Sequence, residues 1–125
     1  MYLLDTHVLV WAVASPRRLS RRALRAIDSG SVVVSVASYW EMVLKKGRAS
    51  APVHDPAGWW QQHVFRREIP VFSIRADHVS QMARFEWAHP DPYDRILCAQ
   101  AIVEDIPLIT ADETILERKD VPTLW

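Results

Sequence analysis

Leu3-Leu4-Asp5-Thr6-His7-Val8-Leu9-Val10-Trp11-Ala12-Val13 follows directly on Met1-Tyr2. A short apolar run stops at an acid, a helix-capping residue type comes next, and an apolar stretch of helical length follows. Met1–Leu4 therefore reads as a strand ending at Asp5, with Thr6 expected to cap a helix to about Val13. The same order recurs along the chain. Pro16 breaks the first helix, Ser20 is expected to cap a second to about Ser29, and Gly30 ends it. Val32–Ser35 is β-branched and reads as a second strand. A helix to Lys46 follows it, stopped by Gly47 after two lysines, as the helix dipole prefers.

Beyond a loop over 48–55, the pattern predicts a helix from Pro56 to about Arg67 and a third strand over Ile69–Ser73. A helix from Asp77 to Phe85 comes next, then a loop over Glu86–Pro92. Asp91-Pro92 is a good cap and first-turn pair for a nearly all-apolar helix, Tyr93 to Val103. Leu108–Thr110 reads as a fourth strand, Thr114–Arg118 as a short helix and Val121–Leu124 as a last strand. Such alternation predicts an α/β fold, with a parallel sheet covered by helices on both faces. Ligands in these sheets bind outside the carboxyl ends of the strands.

The chain has 125 residues, the size of one domain over 1–125. Half of them are hydrophobic, which excludes a disordered chain as the default. Fifteen Lys and Arg balance fifteen Asp and Glu, which excludes a strongly basic nucleic-acid binder. Cys98 is the single cysteine, so neither an intrachain disulfide nor a cysteine zinc site can form. With three glycines there is no glycine-rich phosphate loop. No apolar run approaches the roughly 20 residues that span a membrane, and no leader peptide is visible. The expectation is a cytoplasmic protein.

Four acids fall where a parallel sheet presents ligands. Asp5 directly follows the first strand, and Asp112 comes just after the fourth. Glu41 lies less than two turns into the helix that leaves the second strand. Asp94 lies in the first turn of the long apolar helix. All four are expected on one edge. Two carboxylates about 4 Å apart repel by about 4 kcal/mol at an effective dielectric near 20. A hard divalent cation removes that cost: Mg²⁺ or Mn²⁺ takes oxygen ligands, lowers the pKa of a water and neutralises a phosphodiester. Taken singly, each acid has a plainer reading as a cap, a dipole complement, a turn residue or a solvated side chain. Taken together they favour metal-dependent hydrolysis of a phosphate ester.

At these residues the chain resembles PIN-domain ribonucleases of the VapC toxin type, from type II toxin–antitoxin pairs. The matching stretches are LLDTHVLVWA beginning at Leu3, SVASYWEMVLK at 35–45, HPDPYDRILCAQA at 89–101 and LITADETI at 108–115. They run from end to end of the chain, and the set is specific where any one stretch is weak. The resemblance implies a PIN-like α/β/α sandwich with a central, mostly parallel sheet of four or five strands. It implies Mg²⁺- or Mn²⁺-dependent cleavage of single-stranded or looped RNA. Its partners would be a second copy of the toxin and a cognate antitoxin whose C-terminal segment covers the active site. Carried over by position, Asp5, Glu41 and Asp94 match the family's core acids, and Asp112 the more variable fourth. Thr110 matches a Ser or Thr that often orients the first acid or a water. Asp91 and His89 share the motif without an assigned ligand role. Arg95 and Lys45 are the nearest candidates for electrostatic helpers. The chain departs from the pattern in the short segment after Asp112.

Other features carry less. Arg17, Arg18, Arg21, Arg22 and Arg25 form a basic patch in which Arg18, Arg22 and Arg25 are expected on one face, for RNA phosphate or simply for water. The six tryptophans invite a base-stacking reading, but core or part-buried places are the better expectation for Trp11, Trp40 and Trp87. Trp59 and Trp60 are adjacent, so one is expected inward and the other towards a partner. His7 stands beside Asp5, with a local structural role the better reading. Cys98 is expected to be inert core. The main alternative to a nuclease is a catalytically silent module that binds RNA or protein. A phospho-receiver needs a lysine after its last strand, and this chain, with only Lys45, Lys46 and Lys119, has none there.

Overall fold

A computed structural model describes residues 1–125. Five strands carry the architecture: β1 (Tyr2–Leu4), β2 (Val32–Ser35), β3 (Val71–Phe72), β4 (Leu108–Ile109) and β5 (Thr123–Leu124). Seven α-helices surround them: α1 (Thr6–Ala14), α2 (Arg21–Asp28), α3 (Val36–Lys45), α4 (Pro56–Trp60), α5 (Ala76–Ala83), α6 (Pro92–Glu104) and α7 (Glu113–Leu116). A 3₁₀ turn over Pro16–Arg18 joins α1 to α2, and a π-helical turn, Gln61–Phe65, continues α4.

The strand order is β3-β2-β1-β4-β5 and every pairing is parallel. Leu3 stands opposite Val33 and Leu108, and Leu4 opposite Ile109. Because side chains alternate across a strand, these neighbours split between two cores. Leu3, Val33 and Leu108 join Ala37, the buried face of α6, Ile115 and Val121 on one side. Leu4, Val34 and Ile109 join Val8, Leu9, Ala23, Ala26, Met42 and Val64 on the other. The α/β/α sandwich follows from this double burial.

Local chemistry explains most element ends. Ser20 caps α2 by accepting from the Ala23 N–H at 3.0 Å, and Asp91 caps α6 by accepting from the Tyr93 N–H at 2.9 Å. Gly30 has φ +82°, the left-handed backbone that closes the turn after α2. Thr6 departs from its expected part. It is the first residue of α1, Asp5 holds the cap position, and the Thr6 hydroxyl donates to Ser38 Oγ at 2.9 Å. The third strand is two residues rather than five, because the Pro70 carbonyl and Val71–Phe72 provide all the pairing that β2 takes up.

The tryptophans also differ from expectation. Trp40 is 53% exposed and packs edge-on to Tyr93 instead of entering the core. Trp59 and Trp60 both rest on the same core, Trp60 stacking on Tyr39 at 4.8 Å and Trp59 against His63.

Candidate active site

The sheet reverses its winding at β1, with β2 on one side and β4 on the other, and the crevice lies at their carboxyl ends. Asp5 leaves β1 there. It is 4% exposed, and its Oδ2 accepts from the Thr110 hydroxyl at 2.7 Å. Thr110 Oγ1 also accepts from the Asp112 N–H at 3.1 Å. One hydroxyl therefore ties the end of β1 to the entry of α7. Asp112 caps α7 through the Thr114 and Ile115 N–H groups, leaving its Oδ2 3.4 Å from His89 Nε2.

Asp94 comes from the first turn of α6, with its Oδ2 3.5 Å from the same His89 nitrogen. One ligand atom from each of His89, Asp94 and Asp112 falls within 4.8 Å of the others. The His89 ring is held from behind, because its Nδ1 accepts from the Asp91 N–H at 3.1 Å. In the neutral ring that bond puts the proton on Nε2. His89 thus faces the two carboxylates as a donor, drawing them together.

Glu41 is 1% exposed on α3, beneath the cleft rather than on its wall. Lys45, one turn on, holds Glu41 Oε2 at 2.5 Å and reaches Asp91 Oδ2 at 3.5 Å. Of the two candidate helpers, Lys45 is therefore in contact with the acids. Arg95 is not paired with any of them, and its Nε is buried without a partner.

The electrostatics of the cluster are strained without a cation. Burial, then the charges of Asp5, Asp91, Glu41 and Asp112, push the Asp94 carboxyl up to about 8. Burial also raises Asp5 above the usual carboxylate range, against the pull of Thr110. Asp112 moves the other way. Burial works against it, but hydrogen bonds from Thr114, Ile115 and His89 hold it below its ordinary value. Two buried oxygens, Asp5 Oδ1 and Glu41 Oε1, have no hydrogen-bond partner. Buried acceptors are rarely left unpaired. Unpaired oxygens within a set of carboxylates fit a hard, oxygen-seeking divalent cation.

The family model described as "PIN domain" matches residues 2–121. The chain belongs to the PIN-domain family. This PIN domain is 30% identical over 121 residues to Ribonuclease VapC22 of Mycobacterium tuberculosis, a match covering 94% of this chain and 91% of that protein. It is therefore of the VapC type. Its fold is also that of VapBC from Salmonella typhimurium, solved bound to DNA, with a TM-score of 0.72 at 14% identity over 98% of this chain and 96% of that one. FitAcB from Neisseria gonorrhoeae superposes with a TM-score of 0.68 at 17% identity, covering 100% of this chain and 97% of that one.

The PIN domain's cleft holds about 370 Å³ and is lined by Asp5, Asp94, Ala111 and Asp112 together with His7, Trp11 and Arg18. His7 thus stands on the cleft, not in a purely structural place. The arginine patch divides. Arg18 lies in the 3₁₀ turn and faces this cleft, while Arg22 and Arg25 on α2 line a separate depression with Tyr2, Ser29 and Leu124. Trp11 and Arg18 are cleft residues that the sequence did not single out as such. Only the four-residue spacing of His7 and Trp11 hinted at a shared face.

Proposed function

We propose that this PIN domain is a metal-dependent endoribonuclease, the toxin half of a type II toxin–antitoxin pair. The observation that carries this reading is the convergence of Asp5, Asp94 and Asp112 on one cleft, with Glu41 beneath it and two buried carboxylate oxygens unpaired. The name of its relative, Ribonuclease VapC22, supports RNA as the substrate. Asp5, Glu41, Asp94 and Asp112 would hold Mg²⁺ or Mn²⁺. When bound, the cation neutralises the cluster and the scissile phosphate and makes a nearby water a better nucleophile.

The chain's own residues prepare that site. Thr110 fixes one Asp5 oxygen and leaves the other buried without a hydrogen-bond partner. Lys45 does the same for Glu41, and its charge offsets part of the excess of acids. His89 donates towards Asp94 and Asp112 and sets their spacing. Each hydrogen bond removes a rotational freedom that a bound cation would otherwise have to restrict.

The complexes among its structural neighbours support an antitoxin partner. A second copy of the chain is supported by α3, where Val36, Trp40, Val43 and Leu44 are all more than a third exposed. Their spacing places them on one helical stripe, which a twofold axis can pair with itself. No helix is long and apolar enough to cross a membrane, and such a pair would work in the cytoplasm.

The test is cleavage of a mixed, labelled RNA panel by the antitoxin-free chain with Mg²⁺, Mn²⁺ or EDTA, beside Asp94→Asn. The expected result is cleavage that requires the metal and falls at least 100-fold in the variant. No cleavage of any RNA would move the reading to a silent binding module, and cleavage that persists in EDTA would remove the metal from the reaction.

A further inference from the structure

The acids account for one part of the cleft, and three planar side chains account for another part. His7 and Trp11 stand one turn apart on α1, with ring centroids 6.1 Å apart. Arg18 lies with its guanidinium carbon 4.2 Å above the Trp11 ring. Trp125 packs against Trp11 at 6.3 Å, so the indole is held from the C-terminal side. Arg18 and His7 are exposed, and Trp11 is half-buried.

Core packing does not explain this group. Trp11 belongs to neither buried cluster, although the residues before it on α1, Val8 and Leu9, do. Arg18 rests on an aromatic face instead of a carboxylate, although acids line the same cleft. A guanidinium centred over an indole at this distance puts an exposed cation and an aromatic ring together on the cleft wall. A ligand that suits both parts of the cleft needs a phosphodiester for the charged end and a flat aromatic ring for the stacked end. A single-stranded nucleotide has both.

Resting on the nuclease reading above, we propose that His7, Trp11 and Arg18 form a nucleobase subsite. One unpaired base beside the scissile phosphate stacks on the Arg18–Trp11 pile, which sets the phosphate over the acids. Single-stranded RNA is commonly held by stacking its bases on aromatic rings or on arginine planes. The mode is tolerant of sequence, because every base has a π-face. It excludes a duplex, whose bases are already stacked, and so predicts a preference for loops and single strands.

The experiment compares two strands of equal length, a mixed-sequence RNA and one with abasic riboses, binding to the full chain with Ca²⁺ in place of Mg²⁺. Trp11→Leu removes the ring, and Arg18→Lys keeps the charge while removing the plane. Wild type is expected to prefer the base-bearing strand, and each variant to bind that strand about 5- to 100-fold more weakly. Neither variant should change affinity for the abasic strand by more than about twofold. Arg18 is exposed, so its lysine variant stays informative if Trp11→Leu folds poorly.

Equal losses on both strands would reduce the group to a charged rim and overturn the proposal. A preference for bases that survives both substitutions would also overturn it. The two readings fail separately. Base preference without metal-dependent cleavage sinks the nuclease, and cleavage without base preference sinks only the subsite.

Discussion

Asp94 is the residue in which the tension of the site is most concentrated. In the folded chain burial and four neighbouring acids raise its carboxyl to about 8, against an ordinary value of 3.8. Between those values the folded chain keeps a proton that the unfolded chain has released. Folding takes up that proton, so stability falls as pH rises from about 4 to about 8. Asp5 is raised as well and slopes the same way. Metal-free protein is therefore expected to melt at a higher temperature at pH 5 than at pH 8. Asp94→Asn has no proton to lose there, so its melting temperature should depend on pH less steeply, with the variant the more stable of the two at pH 8. Thermal melts in EDTA across that range check both points, and identical slopes for the two proteins would contradict the argument. The position of Asp94 could be read from the chain, because an acid two residues past a Pro at a helix start has a fixed place. Its burial could not. That depends on where α3 brings Glu41 and where β1 brings Asp5, and no local pattern contains either fact.

Elements were predictable where chemistry within a few residues decides them. Ser20, Asp91 and Gly30 act at the helix ends expected of them. The parallel alternation followed from strands that read as continuous apolar runs. The shortfalls came where a neighbour decides. The third strand shrank to what β2 could pair, and α4 ran into a π-helical turn over Gln61–Phe65. The helix most at odds with its expected burial is α3. Its inner face holds Ala37, Glu41 and Met42, but Trp40 is on the outside with Val36, Val43 and Leu44. An indole in water over an apolar stripe is a costly surface for a chain that acts alone. If a second copy covers it, Trp40→Glu puts a charge at the centre of the contact. Light scattering on a sizing column should then report twice the chain mass for wild type and a single chain mass for the variant, with the circular dichroism unchanged. A dimer that withstands Trp40→Glu would remove α3 from the interface.

At the scale of the whole molecule, the two cores and the acid cluster pull against each other. The sheet buries Leu3, Val33 and Leu108 on one face and Leu4, Val34 and Ile109 on the other. This double burial holds β1 and β4 side by side with their carboxyl ends together. The same packing forces Asp5 and Asp112 into one crevice and lets α6 and α3 deliver Asp94 and Glu41 to it. The cores thus supply the free energy that keeps like charges close. Anything that binds the folded cluster but not the scattered acids of the unfolded chain returns part of it. At a concentration about 100 times its dissociation constant, a cation should stabilise the fold by about 2.7 kcal/mol. For a domain of this size that corresponds to a rise in melting temperature of about 10 °C. The rise should be larger at pH 8 than at pH 5, because the cation competes with the proton for Asp94. It should shrink in Asp94→Asn and be absent with Na⁺ at matched ionic strength, which separates ligation from screening. Scanning calorimetry with Mn²⁺, Mg²⁺ and NaCl measures all three dependences on protein that need not be catalytically active. A rise equal at both pH values, or matched by NaCl, would mean that the acids tolerate one another without a shared ion.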